Sequence, residues 1–248
     1  MSYLKLVLIR HAESLGNTQK RMEGQSSTPL TERGIRQAKQ LAQSIVLSGA
    51  CAPIDWPTHL YTSPLLRAKQ TARYLAESLQ RENHPFQTIV DSQLQEIHQG
   101  IFQGLTWVEA QAQFPDLCTQ LMSSLEWQPV PEAESPGAAR ARSHAWLQSI
   151  LSAHQPEDTL WIVSHTGIML HLIAEIMHCD RTWKINIEHT ATFEFWLSHP
   201  SIAPAGSRFP TASSPERSNL ERSNPERWIL NRFNQILPNT SARGTLAP

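Results

Sequence analysis

Three short segments of this chain combine residues suited to handling an anion. Arg10-His11 ends the apolar run Leu4-Lys5-Leu6-Val7-Leu8-Ile9. Ser63-Pro64-Leu65-Leu66-Arg67-Ala68 follows His59-Leu60-Tyr61-Thr62, and Ser164-His165-Thr166-Gly167 follows Thr159-Leu160-Trp161-Ile162-Val163. A guanidinium pairs with a tetrahedral dianion through two parallel hydrogen bonds, which the point charge of lysine does not reproduce. An imidazole beside it suits nucleophilic attack. Arg10, His11, Arg67 and His165 around one point therefore describe phosphoryl transfer through histidine. One imidazole attacks phosphorus while the guanidiniums balance the charge on the equatorial oxygens. The adjacent cations depress the pKa of the nucleophile and keep it neutral. A leaving alkoxide needs a proton, and Glu96 is the best-placed donor, in Leu94-Gln95-Glu96-Ile97-His98-Gln99-Gly100. It would later accept a proton from the hydrolytic water.

Such distant residues meet only if the elements before them end along one rim. Leu4–Ile9, broken by Lys5 alone, reads as a strand buried on both faces. His59–Thr62, Thr88–Val90 and Thr159–Val163 read as further strands. Parallel strands would put all these ends at one edge of an open sheet, where α/β folds place their ligand crevice. Between them lie helices. Thr31 can cap one whose apolar positions are Ile35, Ala38, Leu41, Ala42 and Ile45, with Gly49 just past its end. Ser63-Pro64 and Ser135-Pro136 both read as a cap followed by proline at the first helical position, the second helix reaching about Ala153. Trp107–Phe114 reads as a short helix stopped by Pro115, and Ile168–Met177 as an apolar helix whose free N–H groups favour an anion beside His165. Arg67, four residues past its expected cap, leans back toward the rim. Ala191, Phe193, Phe195 and Leu197 alternate within Thr190–Leu197, an antiparallel or edge strand. Trp228–Phe233 resumes strand character and would pair with it. Residues 198–227 are rich in proline and serine, and Glu-Arg-Ser-Asn occurs twice, at 216–219 and 221–224. They read as a flexible insertion, the repeat being too short for a solenoid unit.

Bulk properties narrow the classes. With 248 residues and 40% apolar content the chain can bury a substantial core. A formal net charge of −1 gives no electrostatic footprint for nucleic acid or membrane. Cys51, Cys118 and Cys179 are odd in number and form no CxxC pair, which speaks against a disulfide framework or zinc knuckle. The first apolar run is too short for a signal peptide, and no stretch approaches a membrane span. A cytoplasmic protein in a reducing compartment is the expectation.

The blocks just described resemble the signature segments of the histidine phosphatase superfamily, the phosphoglycerate mutase-like family. Arg10-His11-Ala12-Glu13-Ser14-Leu15-Gly16-Asn17 carries the likeness first. It continues in Pro29-Leu30-Thr31-Glu32-Arg33-Gly34, in Thr62–Ala72, in the Glu96 segment with Phe102-Gln103-Gly104, in Glu134-Ser135 and in Val163–Gly167. The blocks stand in the family order. The resemblance implies one α/β domain over 1–248, a three-layer α/β/α sandwich with a mostly parallel sheet and a small cap at about 92–140. It implies that His11 is the phosphorylated nucleophile and Glu96 the proton donor. Arg10, Arg67 and His165 would bind the phosphoryl group, with Asn17 helping to hold it, and neither metal nor cofactor is required. Thr166 and Gln25 are added as phosphate contacts. Three departures fall near the substrate: Thr166 where glycine is common, His189 where asparagine is frequent, and Gln103 for a frequent glutamate.

Other histidines receive plainer readings. His171 and His178 lie seven apart on one helix near Cys179, but no further ligand supports a metal there, and packing explains them. His98 and His189 stand close enough to the motifs to face the pocket, with ordinary packing as the simpler reading. His59, His84, His144, His154 and His199 carry no motif and receive no role. Glu13 reads as a brace for the first loop, and Arg21 as part of a loop over the substrate or plain surface. The expected activity is hydrolysis of a small phosphorylated metabolite, phosphatase branch, with inorganic phosphate as the product ligand. A phosphoglycerate mutase-type transfer and a non-catalytic phospho-ligand-binding module are the alternatives. A possible homodimer could use the edge at 190–197, although pairing with Trp228–Phe233 accounts for that edge equally.

Overall fold

The computed structural model describes residues 2–46, 55–124, 128–179, 185–198 and 227–235. Six strands are present among them: β1 (Tyr3–Arg10), β2 (His59–Thr62), β3 (Gln87–Val90), β4 (Thr159–Ser164), β5 (Thr192–Ser198) and β6 (Arg227–Gln235). They form one sheet in the order β3-β2-β4-β1-β5-β6. β1, β2, β3 and β4 run parallel, whereas β5 is antiparallel to β1 and β6 to β5. The parallel register pairs Arg10 with Ser164 and Thr62 with Val163, so the three motif-bearing strands end side by side. The chain passes from β1 over the β4 position to β2 and later returns to fill the gap. That reversal of strand order is the kind of switch point at which α/β sheets open a crevice.

Among the described residues the α-helices are α1 (Leu15–Thr18), α2 (Glu32–Val46), α3 (Leu66–Arg81), α4 (Trp107–Gln113), α5 (Pro115–Ser123), α6 (Pro136–Ala153) and α7 (Thr166–Ile176), with short 3-10 turns at Ser92–Leu94 and Gly100–Phe102. The period-2 alternation of β1 sorts its side chains between two cores. Leu4, Leu6 and Leu8 pack with Trp146 of α6 and Leu172 of α7. Val7 and Ile9 pack with Leu41 and Ile45 of α2 and Leu75 of α3. Sheet between two helical layers is the expected α/β/α sandwich. Each such fully buried aliphatic side chain contributes about 1.5–3 kcal/mol, so β1 is anchored from both faces and its last residue, Arg10, is held firmly at the rim. A separate small cluster joins Phe102, Ala110 and Cys118 to Met22 of the loop after α1. Arg21 ties the same two segments through Glu109 and the Gly104 carbonyl.

Several expectations need correction. Ser63 does not cap α3: the helix starts at Leu66 with Leu65 in the cap position, and the Ser63 hydroxyl serves His165 instead. Pro115 stops α4 but also opens α5, because proline's missing N–H is harmless in a first turn. α7 begins at Thr166, two residues earlier than the apolar pattern suggested. Thr31 does receive the Gly34 N–H, as a cap should. Alternation in β5 holds for the Ala191, Phe193, Phe195 and Leu197 face, but Thr192 and Glu194 on the other face are buried as well, and β6 rather than β5 forms the sheet edge. Gly49 and all but the ends of the 198–227 stretch lie outside the described residues.

Candidate active site

The rim expected to carry chemistry does bring its residues together. Arg10, His11, Asn17, Arg67, Glu96 and Thr166 line one cavity of about 250 Å³, with Glu23 and Gln99 among the other walls. The His11 and His165 rings lie 5.0 Å apart, centre to centre. A larger cleft of about 690 Å³ lies beyond His189 against α2. Two of its charged groups, Glu13 and Arg33, pair with each other. The smaller cavity is the one where the reactive groups converge.

His11 is 3% exposed. Its Nδ1 lies 2.7 Å from the Ala12 carbonyl. A carbonyl only accepts, so Nδ1 carries the proton and Nε2 keeps a lone pair. Burial, then the charges of Arg67 and Arg10, hold His11 well below the usual histidine range, so the ring stays neutral. His165 is fully buried at the N-cap of α7, with Nε2 2.8 Å from the Ser63 hydroxyl. Burial, then His11 and the two arginines, push it down in the same way.

Both guanidiniums are pinned by their outer nitrogens. Arg10 donates to the Ile187 carbonyl, and Arg67 donates to the carbonyls of Ser26 and Gly24. Among the described residues the buried Nε atoms of both arginines, Nδ1 of His165 and the Thr166 hydroxyl have no hydrogen-bond partner. A buried polar group without a partner costs about 1–3 kcal/mol. Three of them belong to residues that line the cavity, and the fourth to His165, which packs against His11 without lining it; such a set suits a polyvalent acceptor. Burial lowers the pKa of both arginines, opposed by nearby Glu96 and Glu23, and guanidiniums remain charged.

Glu96 is held differently from expectation. Its carboxylate accepts the N–H groups of Ile97, Gly167 and Ile168 at 2.9, 3.0 and 3.2 Å. Two of these are amides of the first turn of α7, so the helix N-terminus serves this carboxylate rather than standing free for a phosphate. A Cβ at Gly167 would come within 2.5 Å of Glu96 Oε1, so the approach requires glycine at that position.

Asn17 is fixed by a capping box with Ser14 on α1. Its Nδ2 donates to Glu23, and its Oδ1 accepts from the Ser14 amide and from His189 Nε2 at 2.9 Å. Burial and the Arg10 charge bring His189 down to about 4. Glu23, 7% exposed, also accepts from Ser14 and Thr28 and lies 3.8 Å from Arg67 Nε. Gln25 is placed on the Glu96 segment, its side chain donating to the Glu96 carbonyl, and it is not among the cavity-lining residues. His98 lies against the Glu132 carbonyl and is not among the cavity-lining residues. Glu13 braces the loop through Thr31 and Arg33. Sequence reasoning gave no role to Glu23 or Gln99 and took Ser63 for a cap. Nothing local distinguishes a buried Glu23 from a surface loop acid.

Fold and site together define a phosphoglycerate mutase-like sandwich with imidazoles and guanidiniums gathered at the sheet's switch point. A family model described as the histidine phosphatase superfamily (branch 1) matches residues 6–199, and the chain belongs to that superfamily. It is 32% identical over 186 residues to a probable phosphoglycerate mutase GpmB of Yersinia pestis, covering 73% of this chain and 80% of that one. Among solved structures, Bacillus stearothermophilus YhfR aligns with a TM-score of 0.65 at 25% identity, over 77% of this chain and 90% of its own. A mycobacterial glucosyl-3-phosphoglycerate phosphatase aligns with a TM-score of 0.60 at 25% identity, over 79% and 91%.

Proposed function

We propose that the protein is a phosphomonoester hydrolase that acts on a small phosphorylated metabolite through a phosphohistidine on His11. The observation that carries this reading is that Arg10 and Arg67, whose buried Nε atoms have no hydrogen-bond partner, line the same cavity as His11, with His165 packed against the His11 ring and its Nδ1 also without one. The His11 Nε2 lone pair forms a bond to phosphorus as the ester P–O bond breaks, and the alkoxide leaves with a proton from Glu96. Water then attacks the phosphohistidine, Glu96 takes its proton, and inorganic phosphate departs. Arg10, Arg67, His165 and Asn17 hold the equatorial oxygens, with Thr166 beside them. The two guanidiniums supply the positive charge, so this reaction needs no metal ion. The cavity of about 250 Å³ favours a small substrate over a bulky polyanion.

The mutase alternative draws support from the GpmB relative's name. A mutase must keep water from the phosphohistidine and return the phosphoryl group to a second hydroxyl. The test assays a panel of phosphomonoesters, including phosphoglycerates, with the wild type and His11→Ala. We expect free phosphate, acid-labile phosphate on the denatured wild type, and neither from H11A. Retained turnover in H11A would overturn the nucleophile. Isomerised phosphoglycerate without released phosphate would establish the mutase.

A further inference from the structure

A second histidine cluster stands at the opposite end of the sheet, where β2 and β4 begin. His59 opens β2, Asp158 immediately precedes β4, and His154 caps the C-terminus of α6. Their ligand atoms all lie within 4.8 Å of one another. His154 Nδ1 is 3.1 Å from one Asp158 oxygen and His59 Nδ1 is 3.8 Å from the other. Ligand atoms bound tetrahedrally at 2.0–2.2 Å sit roughly 3.3–3.6 Å apart, and the two observed distances bracket that range. Side-chain exposure is 5% for His154, 23% for His59 and 21% for Asp158, so an ion could enter from solvent and rest against a buried ligand.

The surroundings complete the pattern. His154 Nε2 lies 2.8 Å from the hydroxyl of buried Tyr61, the outer hydrogen bond that metal-binding imidazoles ordinarily make. The Thr58 hydroxyl bridges two of the ligand groups, 2.8 Å from His59 Nδ1 and donating to Asp158 at 2.9 Å, and would give up these bonds to an ion bound between them. A simple brace for the α6–β4 turn needs only one imidazole on the carboxylate. Here two rings, 4.5 Å apart and edge to face, approach its two oxygens. We propose that His59, His154 and Asp158 form a binding site for a divalent transition ion of the zinc class, which clips the α6–β4 turn to the start of β2. Two imidazoles and one carboxylate select zinc-like ions over magnesium or calcium.

The test uses the full chain after EDTA treatment and gel filtration. Titration with Co²⁺ is expected to give one saturable equivalent with four-coordinate visible absorption, and excess Zn²⁺ is expected to raise Tm. His59→Gln, at the half-exposed ligand, is expected to weaken binding at least about 10-fold and to lose the Zn²⁺ shift. His11→Ala is expected to bind as the wild type does, which separates this site from the catalytic cavity. Paramagnetic broadening of the His59 and His154 ring signals by one equivalent of Co²⁺ in the unsubstituted chain gives a readout that depends on no variant. Absence of saturable Co²⁺ binding, H59Q binding like wild type, or loss of binding in H11A would each overturn the site.

Discussion

Two pairs of imidazoles stand at opposite ends of one sheet, and their neighbours make them chemically opposite. His11 and His165 face Arg10 and Arg67 at the C-terminal ends of β1 and β4. His59 and His154 face Asp158 where β2 and β4 begin. The ring spacing is similar, 5.0 Å at one end and 4.5 Å at the other. On the readings proposed above, guanidiniums make the first pair a receptor for an anion, whereas a carboxylate makes the second a receptor for a cation. A histidine's role is thus set by the charge across from it, and parallel register decides which charge that is.

The sharpest way to break this contrast is to remove the rim's reactive parts. His11→Ala is expected to lower phosphomonoester turnover by about 10³-fold or more, and Arg67→Lys, which loses the fork geometry, by roughly 100-fold. His59→Gln is expected to leave turnover unchanged. Steady-state kinetics on one substrate reads all three. A large activity loss in H59Q would show that the two ends are coupled.

Next in size is the Glu96 clasp on α7. Glu96→Gln is expected to cost about 10²–10⁴-fold in kcat. The loss should shrink for aryl phosphates with acidic leaving groups, which depart without a proton. Gly167→Ala forces a methyl group against the same carboxylate. It is expected to give the same leaving-group dependence with a smaller loss. A loss independent of the leaving group would show that Glu96 supports structure rather than supplying the proton.

How much of this was legible in the sequence follows from what each element rests on. β1 and β4 were readable because a strand buried on both faces must be a continuous apolar run, and their ends delivered Arg10, His11 and His165. Arg67 was found even though the α3 cap was misplaced, since a shift of two residues still leaves it in the first turn. The Glu96 clasp was not legible: it depends on a backbone approach that only the folded Gly167 reveals. Glu23 and the His59–His154–Asp158 cluster were hidden for a related reason. Glu23 is drawn in by loop contacts with Ser14, Asn17 and Thr28, and the cluster by register, His59 pairing with Leu160, so that residues without any shared motif become neighbours. Local pattern reports what a segment buries, and it says little about which buried charge will lie opposite.

A pH series sharpens the comparison through stability. His11 and His165 are held well below 6.5 in the folded protein and His189 at about 4, whereas in the unfolded chain each titrates near 6.5. The unfolded state therefore binds more protons as pH falls from about 6.5 toward 4. Their contribution is complete above about 6.5 and is lost as pH falls below it, for His189 down to about 4. Urea midpoints are expected to fall accordingly. His189→Asn, which keeps a side-chain donor available for Asn17, is expected to flatten part of the decline. An unchanged slope in H189N would show that His189 does not titrate across that window.

The smallest expected effect is that of chelation, and it separates the two ends most cleanly. In the proposed reaction, charge on the transferring phosphoryl group is met by guanidiniums at the rim, so EDTA is expected to leave kcat and KM unaltered. At the far end, an ion bound only by the folded state adds stability that grows with the logarithm of its concentration over Kd. EDTA is then expected to lower Tm in protein loaded with Zn²⁺ and to leave H59Q where it was. Only a few residues would lose a constraint, so the shift should amount to a few degrees. Turnover abolished by EDTA and restored by Zn²⁺ would place the ion in the chemistry and dissolve the contrast between the ends.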